Sequence, residues 1–387
     1  YGLNKGIITT NFWDITAKYI DFGFPYSFFN SVVNTGVKKP SSYSEEIMKN
    51  IESTFGTLET SSTSVNELNP NIIIVQLESF IDPTWIKTIN FNKDPIPNFR
   101  DLVENYSTGL LYIPCLGGGT ANSEFEVITG LSTDFFGTGE FPYNTLLSSN
   151  AAPSLAYYLK ALGYSAHALH NNDATFYSRN NAYKNLGFDT FTPIEAMATP
   201  DRTITGWAKD SYLTSEIESL LKSTSNSDLV FTVSVQGHGG YPNKPLENKE
   251  IEVSSSENIN NLNSIEYYVN QAYEMDQFIG QLINMVNSLD EPSVIVFYGD
   301  HHPAINVPTE HFTTNSLLST PYAIWDNLDL QKEKCDLEAY ELTSHLVKML
   351  GLPENTLMAL HNSDIDPEVK NNYLNLIEYD MLYGKDY

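Results

Sequence analysis

The sequence predicts an α/β fold: a mostly parallel central sheet with helices on both faces, a short helical N-terminal connector and a small C-terminal extension. Three observations predict it. The runs Asn71–Leu77 and Ser293–Tyr298 are dominated by apolar, largely β-branched residues, as in parallel strands buried on both faces. Strand patterns then alternate with helical ones along most of the chain. Polar or Gly-rich turns follow four of the strands, at the carboxyl ends where open α/β sheets collect ligands. The expected boundaries are a connector and linker over 1–69, a main α/β domain over 70–350, and an extension over 351–387 packed on that domain.

Taken in order, residues 1–40 are rich in aromatics, including Phe12, Trp13, Tyr19, Phe28 and Phe29. They read as helix, turn and short helix before the break at Lys39-Pro40. Ser42-Tyr43-Ser44-Glu45-Glu46 starts a helix that runs into Ile47, Ile51 and Phe55. The Ser/Thr-rich stretch 57–69 reads as a linker. Beyond strand 71–77, the expected elements are helix Ser154–Leu162, strand Tyr164–Leu169, helix Ser211–Leu221 and strand Leu229–Val235. Then come helix Asn263–Leu289, strand Ser293–Tyr298, short strand Pro321–Trp325 and helix Leu337–Leu350.

The chain has 387 residues and a formal net charge of −27. Such a surface repels nucleic acid, which excludes that partner class. No apolar run approaches the roughly 20 residues of a membrane span. The opening Tyr1-Gly2-Leu3-Asn4 lacks the order of a signal peptide and fits a fragment whose targeting segment is missing. Cys115 and Cys335 lie far apart, which argues against a disulfide framework and a Cys-based zinc site.

Gly117-Gly118-Gly119-Thr120 leads into Phe125, Ile128 and Leu131 at helical spacing. A Gly run lets backbone approach a ligand, and a helix N-terminus favours an anion. The plainer reading is a loop with Thr120 as N-cap. Four strand-end groups shift the balance: Glu78, His170, Gln236-Gly237-His238 and Gly299-Asp300-His301. Asp300, His301 and Glu78 give two carboxylates and an imidazole, a donor set for a divalent metal. Thr120 Oγ suits a fourth ligand, and metal bonding would make it an alkoxide nucleophile. His167, His302, His311, His345 and His361 read as packing or surface imidazoles.

Four stretches carry a resemblance: Ile73–Phe80, Gly118–Glu126, Tyr177–Phe188 and Tyr298–His301. Together the chain resembles the lipoteichoic acid synthase type of phosphoglycerol transferase, in the alkaline phosphatase/sulfatase superfamily. The resemblance implies a sulfatase-like catalytic domain on the extracellular face of a bacterial membrane, normally tethered by membrane helices. It implies one metal, usually Mn²⁺ with Mg²⁺ possible, held by Glu78, Thr120, Asp300 and His301. It implies that Thr120 takes glycerol phosphate from phosphatidylglycerol for a glycolipid or polyglycerolphosphate acceptor. His170, Arg179 and His238 match residues that hold phosphate and glycerol. Two departures touch the glycerol site. Tyr177 stands where the family has Trp, and the family's His-Gly-Asp becomes His170-Asn171-Asn172, with Asp173 one place later.

Competing readings on the same fold are a phosphatase, a phosphodiesterase or a sulfatase. Sulfatases usually use Cys or Ser where Thr120 stands. Phosphoethanolamine transferases carry several disulfides, which two cysteines cannot supply. A non-catalytic cell-envelope binding protein is a further alternative, against which the full set of metal donors argues.

Overall fold

The structure is a computed structural model and describes residues 23, 35–56, 69–137, 139–314, 316–385 and 387. The expected helices before residue 35 and nearly all of the 57–69 linker lie outside the described residues. In chain order the helices are α1 (Glu45–Phe55), α2 (Pro97–Asn105), α3 (Thr120–Thr129), α4 (Leu155–Ala161), α5 (Arg179–Asn185), α6 (Ser211–Leu221), α7 (Leu262–Ser288), α8 (Leu342–Met349), α9 (Thr356–His361) and α10 (Pro367–Tyr383). The strands are β1 (Asn71–Leu77), β2 (Asn90–Phe91), β3 (Ser107–Tyr112), β4 (Ser165–His170), β5 (Thr190–Pro193), β6 (Asp228–Val233), β7 (Val253–Ser254), β8 (Ser293–Gly299), β9 (Ser319–Asp326) and β10 (Leu337–Glu338).

Eight strands form one sheet in the order β10-β3-β9-β8-β1-β6-β4-β5, and β2 and β7 make a small antiparallel ribbon. The central run β8-β1-β6-β4-β5 is parallel throughout. Among the described strands of this sheet, β9 alone runs against its neighbours, β8 and β3. The expected α/β class holds, with this antiparallel strand as the addition.

Residues alternate between the two faces, as the two-residue strand period requires. On β1, Ile72 and Ile74 enter the core beside α3, while Ile73, Val75 and Leu77 enter the core beside α7. On β8, Val296 and Tyr298 take the first side, and Ile295 and Phe297 the second. All seven residues of each strand are buried. Helix α7 covers its face with Met275, Phe278, Ile279 and Leu282 at three- and four-residue spacing.

Most expected boundaries shift by only a residue or two; Ser44 caps α1, for example, by accepting from Ile47 N. The expected helix Leu337–Leu350 is corrected. Its first two residues are strand β10, a 3₁₀ turn spans Ala339–Glu341, and the helix begins at Leu342. Pairing of Leu337 and Glu338 with Leu111 and Tyr112 outweighs local helix preference there.

The chain's end packs back on its beginning: α9 and α10 lie against α1. Tyr43 donates to the Asp380 carboxylate and stacks edge-on to Tyr379 at 4.8 Å. Two buried carboxylates lie at the α3–α10 side. Glu126 accepts from Thr133 N (2.7 Å) and Oγ1 (2.8 Å), and Glu378 accepts from Ser132 N (2.8 Å). Burial pushes Glu126 up to about 8 and Glu378 well above the carboxylate range. The folded chain therefore holds protons that the unfolded chain has released, and stability falls as pH rises from about 4.5 toward 8. The cost is about 1.4 kcal/mol for each pH unit over which only the unfolded Glu126 is ionised. Thermal melts should show Tm falling from pH 6 to pH 9, with a flatter profile and a higher Tm at pH 9 for Glu126→Gln. An unchanged profile in the variant would contradict this assignment.

Candidate active site

Because β8, β1, β6 and β4 are adjacent and parallel, their carboxyl ends share one edge of the sheet. Glu78 follows β1, Asp300 and His301 follow β8, His238 follows β6 by a short turn, and His170 ends β4. One pocket of about 90 Å³ is lined by Glu78, Thr120, His170, Tyr177, Arg179, His238 and His301. Asp300 joins them from beneath, accepting from Ser79 N at 2.7 Å. The expected site residues are thus brought together, without exception.

The turns are shaped for this convergence. A Cβ on Gly237 would lie 2.0 Å from Glu78 O, so only glycine lets the β6 turn pass the end of β1. Gly119, at φ +98°, is the N-cap of α3, and Thr120 is the first helical residue. The reading of Thr120 as N-cap is therefore corrected; glycine takes that place because the backbone there is left-handed.

Thr120 Oγ1 donates to Glu78 Oε2 at 3.3 Å. Ser79 Oγ donates to Glu78 Oε1 at 3.0 Å, and Ser123 Oγ donates to the Asp300 carbonyl at 2.8 Å. His301 Nε2 lies 3.4 Å from both Glu78 Oε1 and Asp300 Oδ2. Its Nδ1 faces the His302 carbonyl at 3.0 Å, an acceptor, so Nδ1 carries a proton. In its neutral form the ring turns its Nε2 lone pair toward the same space as two carboxylate oxygens, a donor set that suits a cation.

Three further observations fit a divalent metal. Glu78, Asp300 and His301 place one donor atom each within 4.8 Å of one another. Donors about 3.4 Å apart suit a tetrahedral shell with bonds of about 2.1 Å. Asp300 Oδ2 is buried and has no hydrogen-bond partner among the described residues. Burial outweighs the bonds these carboxylates accept. Burial, then Glu78, pushes Asp300 up to about 7, and burial raises Glu78. Burial alone would lower His301, but Asp300 and Glu78 raise it.

On the opposite wall, His170 Nδ1 lies 2.9 Å from the Val233 carbonyl, and its Nε2 has no partner among the described residues. Burial, then Arg179, holds this imidazole well below its usual range, so it is neutral. With Nδ1 donating to a carbonyl, Nε2 can only accept. It suits a hydroxyl group rather than a phosphate oxygen. His238 lies against the Trp207 ring at 4.2 Å and is lowered by burial.

Arg179 is the pocket's buried cation, 1% exposed. Its Nε meets Glu124 Oε1 and Oε2 at 3.1 and 3.2 Å, its Nη2 also bonds Oε1, and Tyr183 donates to Oε2 at 2.7 Å. Nη1 donates to the Phe176 carbonyl at 3.3 Å. Tyr177 and Ser178 have φ of 55° and 56°, left-handed values unusual for such residues. This turn sets Tyr177 against Phe141, with ring centroids 5.2 Å apart, and 5.3 Å from the Arg179 guanidinium. Sequence reasoning missed Ser79, Glu124 and Trp207. Glu124 had one signal: it lies four residues after Thr120, one helical turn on.

Fold and site together define a mixed α/β protein with a sulfatase-like fold and a candidate metal-binding group of two carboxylates and a histidine. The chain belongs to the Sulfatase family, whose model matches residues 70–352. A Rhizobium meliloti protein named for cyclic beta-1,2-glucan modification is 30% identical over 295 residues, covering 76% of this chain and 44% of its own length. The lipoteichoic acid synthase of Staphylococcus saprophyticus is 24% identical over 304 residues, with 74% and 44% covered. The chain thus spans less than half the length of these relatives. Among solved structures, Streptococcus pyogenes phosphoglycerol transferase GacH, in complex with sn-glycerol-1-phosphate, matches with a TM-score of 0.77 at 21% identity, over 91% of this chain and 97% of that one. Lipoteichoic acid synthase LtaP of Listeria monocytogenes matches at 0.62 and 22% identity, over 79% and 78%.

Among the described residues no helix is long and apolar enough to cross a membrane.

Proposed function

We propose that this chain transfers glycerol phosphate from phosphatidylglycerol to a hydroxyl acceptor, at the outer face of a bacterial membrane. The observation that carries the reading is Thr120: a buried hydroxyl at the first turn of a helix, 3.3 Å from a carboxylate, facing an arginine and two histidines across one pocket. Glu78, Asp300, His301 and Thr120 would hold one divalent ion, Mn²⁺ or Mg²⁺. Bound there, it would supply Lewis-acid stabilisation and lower the pKa of the Thr120 hydroxyl.

Thr120 Oγ attacks phosphorus, and the bond from phosphorus to the diacylglycerol oxygen breaks. Diacylglycerol leaves with a proton, and glycerol phosphate stays esterified to Thr120. The acceptor hydroxyl then attacks phosphorus, loses its proton and frees Thr120. Arg179 and the N–H groups opening α3 meet the charged phosphate oxygens. Neutral His170 accepts from a glycerol hydroxyl through Nε2, and His238 lines the phosphate side. Tyr177 forms the aromatic wall in place of the family's Trp. The acceptor is a glycolipid, a polyglycerolphosphate chain or another glycan. The relative named for glucan modification supports a saccharide hydroxyl.

Incubation with fluorescent phosphatidylglycerol and Mn²⁺ tests this reading. Diacylglycerol should appear, EDTA should stop its release, and added glycolipid should gain glycerol phosphate. Free glycerol phosphate as the sole second product would make water the acceptor and the protein a phosphodiesterase. Failure to turn over any phospholipid, with hydrolysis of a soluble phosphate or sulfate ester, would overturn the lipid reading.

A further inference from the structure

Away from this pocket, Glu333, Cys335 and His345 bring donor atoms within 4.8 Å of one another. Cys335 Sγ lies 3.8 Å from His345 Nε2, and Glu333 Oε2 lies 3.7 Å from the same nitrogen. We propose that these three residues form a second metal site, for a borderline-soft divalent ion of the Zn²⁺ type.

The backbone builds the site. Thr108 N donates to the Glu333 carbonyl at 3.0 Å, and Cys335 N donates to the Thr108 carbonyl at 3.2 Å. Glu333 N donates to Ser107 Oγ at 3.0 Å. Residues 333–335 therefore run along the edge of β3 as a short parallel extension. Side chains two apart on extended chain share a face, which puts Glu333 and Cys335 together. His345 reaches them from the first turn of α8, with its side chain 10% exposed, while that of Glu333 is 46% exposed.

The donors set the preference. With Zn–S near 2.3 Å and Zn–N near 2.0–2.1 Å, tetrahedral ligands stand roughly 3.6 Å apart. The Cys335–His345 separation is close to that, and the exposed Glu333 carboxylate is free to close the remaining gap. Solvent leaves room for a fourth ligand. A thiolate favours Zn²⁺ over Mn²⁺ or Mg²⁺, unlike the oxygen-rich Glu78–Asp300–His301 set. Tyr322 also contacts Cys335 Sγ, at 3.4 Å, but that contact leaves the convergence of His345 and Glu333 unexplained. This site departs from the sequence reading, which expected no Cys-based zinc site and took His345 for a packing or surface imidazole: here one thiol joins that histidine and a carboxylate. The ion would tie the β3 edge to α8, which bonds α3 through Thr343 Oγ1 and the Val127 carbonyl at 3.0 Å.

Cobalt titration of the metal-stripped 387-residue chain, in excess Mg²⁺, tests the site. A thiolate-to-Co²⁺ charge-transfer band should saturate at one equivalent and vanish on adding Zn²⁺. Cys335→Ser should remove it, and Cys115→Ser should keep it. Glu333→Gln changes an exposed side chain, so folding is not at risk, and Co²⁺ affinity should fall at least as far as for loss of an outer-shell partner, roughly 10–100-fold. No band in the wild type, or a band that survives Cys335→Ser, would overturn the site. So would an affinity indifferent to both Glu333→Gln and His345→Gln.

Discussion

Thr120→Ala should lower transfer by about 10⁴-fold or more, the scale seen when a nucleophile is deleted from a preorganised site. The loss has two sources. The attacking oxygen disappears, and one of the four proposed metal donors goes with it. Glu78, Asp300 and His301 remain, so the variant should still bind the ion, but weakly. The fold should survive, because the hydroxyl's 3.3 Å bond to Glu78 is a long one and alanine suits the first turn of α3. Thr120→Ser keeps an oxygen at the same place and should recover part of the rate. In the wild type, intact-mass measurement after brief exposure to phosphatidylglycerol should show a glycerol-phosphate adduct on the Thr120 peptide. Full turnover by Thr120→Ala would mean that acceptor or water attacks the lipid directly, and the covalent route would fall.

What the sequence made legible follows from range. The buried runs Asn71–Leu77 and Ser293–Gly299 announce themselves because both faces of each strand are covered, so every position is apolar or bonded. Once the strands are parallel and adjacent, the residues after them must share an edge, which is why Glu78, His170, His238 and Asp300 were readable as one group. Edges were harder. Ser107–Tyr112 carries a mid-strand Gly109, and a Cβ there would lie 1.8 Å from the Cys335 carbonyl. That glycine answers to a neighbour more than 200 residues away, and no local pattern encodes it. Leu337 and Glu338 likewise look helical by themselves and become strand through pairing with β3. Partner choice was hidden for the same reason. The Glu124–Arg179 pair joins residues 55 apart, and the Glu333–Cys335–His345 cluster exists only once residues 333–335 lie along β3.

The Arg179–Glu124 pair should separate fold from function more sharply than any other change. Both side chains are buried, at 1% and 0% exposure, and Arg179 spends Nε and Nη2 on the Glu124 carboxylate. Arg179→Met leaves that carboxylate buried without its cation, which costs about 3–5 kcal/mol in comparable pairs. Glu124→Gln leaves the guanidinium unpaired and should cost a similar amount. The double variant Arg179→Met/Glu124→Gln removes both charges and keeps an acceptor for the Tyr183 hydroxyl, so most of the stability should return. Activity should not return with it. The cation facing the phosphate is gone, and transfer should stay depressed by roughly 10²–10³-fold, the scale of losing one charge-stabilising donor. Arg179→Lys restores a charge but not the planar fork that meets Glu124 and phosphate together, so its rate should lie between the two. Urea melts and diacylglycerol release, measured on the wild type and these four variants, decide the matter. If the double variant regains the wild-type rate along with its stability, Arg179 serves only the fold and has no part in holding phosphate.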